Sequence, residues 1–187
     1  MRIVFCGTAA GAVAARVGAP YAGPGNRFWR VLHETGLTPR ELRPHEFRDL
    51  PRYGIGLTDG AKFASGSDAR LARSDFDSAA VIAKVERHAP RLVAFVGKRA
   101  AREVLGGPAD YGRQERRIGV SDVWVVPSTS GAARGAWDIE PWRALAEAAS
   151  RNSVARISRP LHGKAVPPTV RSARRGAQGS GRPSQSS

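Results

Sequence analysis

Leu92-Val93-Ala94-Phe95-Val96 decides the fold. Five consecutive apolar residues, set off by Pro90 and Gly97, suit a strand covered on both faces, as strands of parallel sheets are. Its flanks are helical in pattern. Upstream, Phe76, Ala79, Ala80, Ile82, Ala83 and Val85 recur at helical spacing within residues 75–88. Downstream, residues 97–105 read as a helix ended by Gly106-Gly107. A buried strand between two helices predicts a βαβ arrangement.

Working outward, Ile3-Val4-Phe5-Cys6 reads as a second buried strand, running into the turn Gly7-Thr8-Ala9-Ala10-Gly11. A helix is expected from Asn26 as cap, through Phe28, Trp29, Val31 and Leu32, to Gly36 as stop. Thr38-Pro39-Arg40-Glu41 repeats the start signal, with Thr38 as cap and Pro39 at the first helical position. Residues 53–58 are short, apolar and glycine-interrupted, fitting a strand or an extended loop. Residues 117–120 and 123–126 suggest a hairpin about Ser121-Asp122, and Pro127 stops its second strand. Residues 137–149 form the expected closing helix. Together these elements predict a three-layer α/β/α sandwich with a mostly parallel central sheet. Ligands of such sheets sit beyond the carboxyl ends of the strands, here the loops 7–26, 57–70 and 127–135.

Charge points to a partner. The 187 residues hold 30 Lys and Arg against 16 Asp and Glu, a formal net charge of +14. Such a surface favours polyanions. Residues 1–150 carry 22 of the cations and all 16 acids, net +6, while 151–187 carry 8 cations and no acid. That terminal stretch has no aromatic residue and is rich in Pro, Ser, Gly and Arg, so it is expected to be a disordered basic arm on a domain spanning 1–150. The 41% hydrophobic content is ample for a core.

Several classes drop out. The lone Cys6 excludes a disulfide framework and a thiolate metal cluster. His33, His45, His88 and His162 show no metal-binding spacing, so no metal or other cofactor is expected. No apolar run approaches the roughly 20 residues that span a bilayer. Residues 1–15 have a superficial likeness to a signal peptide, but Gly7, Thr8 and Gly11 break the stretch and Arg16 follows, so the cytoplasm is expected. Gly7-x-x-x-Gly11 lacks dinucleotide-binding spacing, and Gly97-Lys98 lacks the following Ser or Thr of a P-loop. No nucleophile elbow or hydrolase triad is evident around Ser128.

The positive signal is a combination. Tyr21-Ala22-Gly23-Pro24-Gly25-Asn26-Arg27-Phe28-Trp29 joins an aromatic ring, a rigid turn and a capped helix. Pro127-Ser128-Thr129-Ser130-Gly131-Ala132-Ala133-Arg134 follows a strand with hydroxyls, small residues and a cation. Backbone N–H groups and hydroxyls of this kind can grip a phosphate.

These segments, with Val4-Phe5-Cys6-Gly7, Tyr53-Gly54-Ile55-Gly56-Leu57-Thr58 and residues 90–98, are where the chain resembles a known family. It is similar, over residues 2–148, to the mismatch-specific thymine/uracil-DNA glycosylases of the uracil-DNA glycosylase superfamily. The resemblance implies the same sandwich and a monofunctional, monomeric DNA-repair enzyme. Such an enzyme flips uracil out of DNA, including from mismatches with guanine, and hydrolyses the N-glycosidic bond to leave an abasic site. It implies a base pocket of Gly7, Thr8, Ala9, Tyr21 and Asn26, with Tyr21 stacked on the extruded base. Ser128, Thr129, Ser130 and Gly131, with Arg134, would approach the DNA, and the basic arm would contact phosphates.

Two departures matter. The family's first motif reads Gly-Ile-Asn-Pro-Gly, its Asn positioning the hydrolytic water; here Ala9 stands at the Asn position. The bulky residue that wedges into the vacated stack corresponds to Ala132. Asp59, where the family has Asn or Lys, is the candidate that activates water in place of the missing Asn, and Asp68 is a second candidate on the same loop. The competing expectation is a non-catalytic protein that binds damaged or abasic DNA. A nucleotide-binding metabolic enzyme is a third, from fold alone.

Overall fold

The computed structural model describes residues 1–66, 70–131, 133 and 137–157. Its centre is a five-stranded sheet, β1 (Ile3–Gly7), β2 (Ile55–Asp59), β3 (Leu92–Val96), β4 (Gly112–Ile118) and β5 (Ser121–Val126), in the order β2-β1-β3-β5-β4. All neighbours are parallel except β4 and β5. The helices are α1 (Ala12–Val17), α2 (Phe28–Glu34), α3 (Ser78–His88), α4 (Lys98–Leu105) and α5 (Glu140–Ile157).

Strand alternation divides the core in two. Ile3, Phe5, Leu92, Ala94, Val96, Trp124 and Val126 face α2 and α5, meeting Phe28, Leu32, Trp142 and Leu145. Cys6, Val93, Phe95, Val123 and Val125 face α3 and α4, meeting Val81, Val85, Ala101 and Val104. Both faces of β3 are therefore sealed, which is why its sequence has no polar alternation. This is the expected three-layer α/β/α sandwich with a mostly parallel central sheet.

Local differences from the sequence reading have physical causes. No helix starts at Thr38. The N–H groups of Leu37 and Thr38 both bond back to Leu32 O, closing α2, and the Thr38 hydroxyl donates to Arg40 O. The next helical turn is a 3-10 segment, Pro44–Tyr53, where Glu46 accepts from the Arg43 N–H and pairs with Arg40. The hairpin turns at Gly119-Val120 rather than Ser121-Asp122: Gly119 adopts φ +54° and Ser121 already pairs with Ile118. The closing helix begins at Glu140, with the Asp138 carboxylate accepting from its N–H, and continues to Ile157, past position 150. Pro141 in its first turn suits that start. The short α1 had no strong periodic signal. Among the described residues, no helix is long and apolar enough to cross a membrane. The arm beyond Ile157 lies outside the described residues.

Candidate active site

The strand order reverses at β1. The chain leaves β1 toward α2 on one face of the sheet and leaves β3 into α4 on the other, and the region beyond their carboxyl ends is where such sheets bind ligands. There β1 and β2 end abreast, with Gly7 paired to Asp59. A Cβ on Gly7 would lie 2.6 Å from Asp59 Oδ1 and 3.1 Å from the Tyr21 hydroxyl oxygen. A carboxylate and a phenol thus converge over one stretch of bare backbone, and only glycine leaves room for both.

Tyr21 reaches that point through an unusual conformation. Its φ is +57°, a region costly for a residue with a side chain. The ring is held there by stacking on Phe28, 3.8 Å between centroids and 11° from parallel. Phe28 in turn meets Phe5 and Trp142, so the stack is rooted in the core. The Tyr21 hydroxyl is buried without a hydrogen-bond partner among the described residues. Its pKa is driven up by burial, then by the charges of Asp59 and Cys6. Burial likewise pushes the half-buried Asp59 carboxyl above its ordinary value, while Lys62 pulls it the other way. Beneath them lies the fully buried Cys6 thiol, raised by burial and by Asp59 and opposed by Lys84.

Backbone hydrogen bonds fix the loops around this point. The N–H of Gly60 donates to Gly7 O (2.9 Å), that of Ala61 to Thr8 O (2.7 Å) and that of Gly66 to Ala10 O (3.0 Å). Thr8 is buried in this seam and Ala9 half-buried, offering only a methyl group. Asn26 and Tyr21, with Ala22 and Trp29, line an open pocket of about 390 Å³ bounded on its other side by residues 41–44; Gly7 and Asp59 do not line it. The N-cap of α2 is Arg27 rather than the expected Asn26; the Asn26 Oδ1, one residue earlier, accepts from the Phe28 N–H at 3.0 Å.

The loop after β5 packs on the turn before α2. Gly131 approaches so closely that a Cβ there would lie 2.8 Å from Pro24 O, while the Arg27 N–H donates to Thr129 O at 2.9 Å. Thr129 is 1% exposed, and its hydroxyl is buried without a hydrogen-bond partner among the described residues, while its backbone anchors the turn. Ser130 is exposed and Ser128 lies against Gly97.

The structure therefore brings Gly7, Thr8, Tyr21 and Asp59 together, with Ala9 and Asn26 adjoining and residues 128–131 on the neighbouring turn. Asp68 and Arg134 lie outside the described residues. Sequence reasoning missed Phe28 as the floor of the stack, since its helical spacing marks only a core residue. It also missed Lys62, whose charge next to Asp59 depends on a loop conformation that no pattern encodes. Among the described residues, no three His, Cys, Asp or Glu side chains cluster to hold a metal ion.

Comparison with protein families matches residues 1–146 to the model of the uracil DNA glycosylase superfamily. With most of its length matched, and with an α/β sandwich whose candidate site lies at the strand ends, the chain belongs to the uracil DNA glycosylase superfamily.

Proposed function

We propose that the protein excises uracil from DNA, including uracil opposite guanine, by hydrolysis of the N-glycosidic bond, and that it does so as a mismatch-type member of its superfamily. The observation that carries this reading is the convergence of Asp59 and Tyr21 on Gly7 at the strand ends. A nucleotide swung out of the stack places its base against the free face of Tyr21, with the backbone of Gly7, Thr8 and Ala9 as the wall. The Asp59 carboxylate takes a proton from water as the water oxygen bonds to C1′. The C1′–N1 bond breaks, and its electron pair leaves with the base as the uracil anion. A carboxylate raised above its ordinary pKa is the stronger base, and its charge also favours the oxocarbenium-like sugar. Ser128, Ser130, Gly131 and Arg134 approach the strand beside the lesion, and the basic arm adds phosphate contacts.

One observation favours a second reading. Ala9 supplies no polar group where the resemblance places the water-positioning Asn, which suits a protein that binds damaged or abasic DNA without cleaving it. Incubation with a uracil-containing duplex, followed by alkali, separates the two. Strand cleavage that is lost in Asp59→Asn supports the hydrolase. A retained mobility shift with no abasic product at stoichiometric protein supports the binder.

A further inference from the structure

β2 is the outermost strand of the sheet, and among the described residues it pairs with β1 alone. An edge strand presents backbone N–H and C=O groups with which another strand can pair. Beside it, toward α3, runs a groove of about 240 Å³. Its lining extends from Met1 and His88, at the start of β1 and the end of α3, to Thr58 and Lys62 at the far end of β2. The floor is apolar, with Val4 and Val85 flanking the bare backbone of Gly56. A Cβ on Gly56 would lie 2.5 Å from Met1 Sδ, so glycine keeps this floor open. What now lies over it is a flexible thioether side chain that is 59% exposed and can swing aside.

The rim is positive. Lys62 and Lys84 supply charge and His88 a further polar group, and no acidic residue lines the groove. Among the described residues these three side chains make no ion pair or hydrogen bond. Glu86, the acid of α3, lies instead against Gly119 at the turn between β4 and β5. Other concave surfaces differ: the pocket beside Tyr21 holds Glu41 with Arg43, and the groove of residues 74–79 holds Asp75 and Asp77.

Three properties thus coincide: an open strand edge, an apolar floor and a cationic rim. Duplex DNA would satisfy the rim but has no apolar group to lay over Gly56. A second copy paired edge to edge through β2 would bring two cationic rims together. An extended peptide meets all three demands, because its backbone pairs with the edge while alternate side chains enter the groove.

We propose that the groove beside β2 receives an extended acidic segment of a partner protein, added to the sheet as a further strand. An aliphatic side chain lies over Gly56. Carboxylates two residues to either side reach Lys62 at one end and Lys84 and His88 at the other.

The test uses the full chain and a fluorescein-labelled peptide, Thr-Glu-Thr-Ile-Thr-Glu-Thr, whose Ile and both Glu share one face of an extended strand. Anisotropy should show saturable binding, weakened on the order of tenfold when both Glu are replaced by Gln. Methylating the peptide's backbone nitrogens at alternate residues, in each of the two registers, should abolish binding in one register and spare it in the other. Lys84→Glu should lose binding with an unchanged melting temperature, and should prefer a peptide with Lys in place of Glu. Lys62→Glu, at an exposed position, makes the same reversal where Lys84→Glu fails to fold. No saturable binding at millimolar peptide overturns the proposal, as does equal affinity in the charge variants or equal binding of the two methylated peptides. Duplex binding that Lys84→Glu weakens, with no peptide binding, assigns the groove to phosphate. A dimer in sedimentation that Lys84→Glu disperses assigns it to a second copy, and either result overturns the proposal. The readout needs neither DNA nor uracil, so the hydrolase reading stands or falls separately.

Discussion

The ring of Tyr21 lies face to face on the ring of Phe28, 3.8 Å between centroids, while its hydroxyl sits 3.1 Å from where a Gly7 side chain would begin. One face of the tyrosine is thus fixed by the core and the residue is held at positive φ. The ring is preformed, with little side-chain entropy left to lose if, as proposed, a base stacks on its other face. Tyr21→Ala should weaken uracil release, measured as kcat/KM, by about 5- to 150-fold, the equivalent of roughly 1–3 kcal/mol of stacking. Tyr21→Phe keeps the ring and deletes a buried, unpartnered hydroxyl. Its melting temperature should be equal to or above that of the unaltered chain.

Asp59→Asn should lower uracil release on the order of 10²–10³-fold, the usual cost of losing one positioned catalytic group. The same substitution should alter stability in a pH-dependent way. The folded carboxyl titrates above its ordinary value of 3.8, so the native state holds the proton more tightly than the unfolded chain does. The stability from this group is complete below that ordinary value and declines as pH rises through the folded one. Thermal melts from pH 3 to 8 should therefore show Asp59→Asn gaining on the unaltered protein toward neutral pH. Uracil release by the unaltered protein should fall on the acid side, with a midpoint above 3.8.

The legible parts of this chain were those written in local chemistry. Leu92 to Val96 matched its strand because burial on both faces leaves a continuous apolar run, and Asn26 marked the start of α2 to within one residue because its bond to the Phe28 N–H is local. Asp59 could be named as a candidate from its place after an apolar run, but its pairing with Gly7 is set by register between strands some fifty residues apart. The Thr38 signal failed because the end of α2 had already claimed the local N–H groups. The burial of Thr129 was not legible, because it depends on the contact of its loop with the turn before α2, some hundred residues away in the chain.

That contact yields a stability prediction. Gly131 meets Pro24 O at a distance no Cβ tolerates, and neither partner is a flexible side-chain end. Gly131→Ala should lower stability by about 1–3 kcal/mol in chemical denaturation, and should displace the turn that carries Tyr21, raising KM for uracil-containing DNA. Gly107→Ala, where nothing lies within 4 Å, is the control and should leave the denaturation midpoint nearly unchanged.

The net charge of +14 divides between a domain carrying +6 and a terminal stretch carrying +8 with no acids. Because α5 continues to Ile157, a cut at position 150 would remove helix along with arm, so the informative truncation follows Ile157. It deletes Arg159, Lys164, Arg171, Arg174, Arg175 and Arg182 and leaves every core residue in place. Each duplex phosphate those cations neutralise contributes about 0.9 to the slope of log affinity against log salt. The truncated protein should bind duplexes of any sequence more weakly at low salt, with a shallower slope and the same melting temperature. Discrimination between uracil-containing and undamaged duplexes should persist, because in the proposed reading the base contacts lie at the strand ends and not on the arm. Fluorescence anisotropy titrations at several salt concentrations measure both quantities, and an unchanged slope would show that the arm makes no phosphate contact.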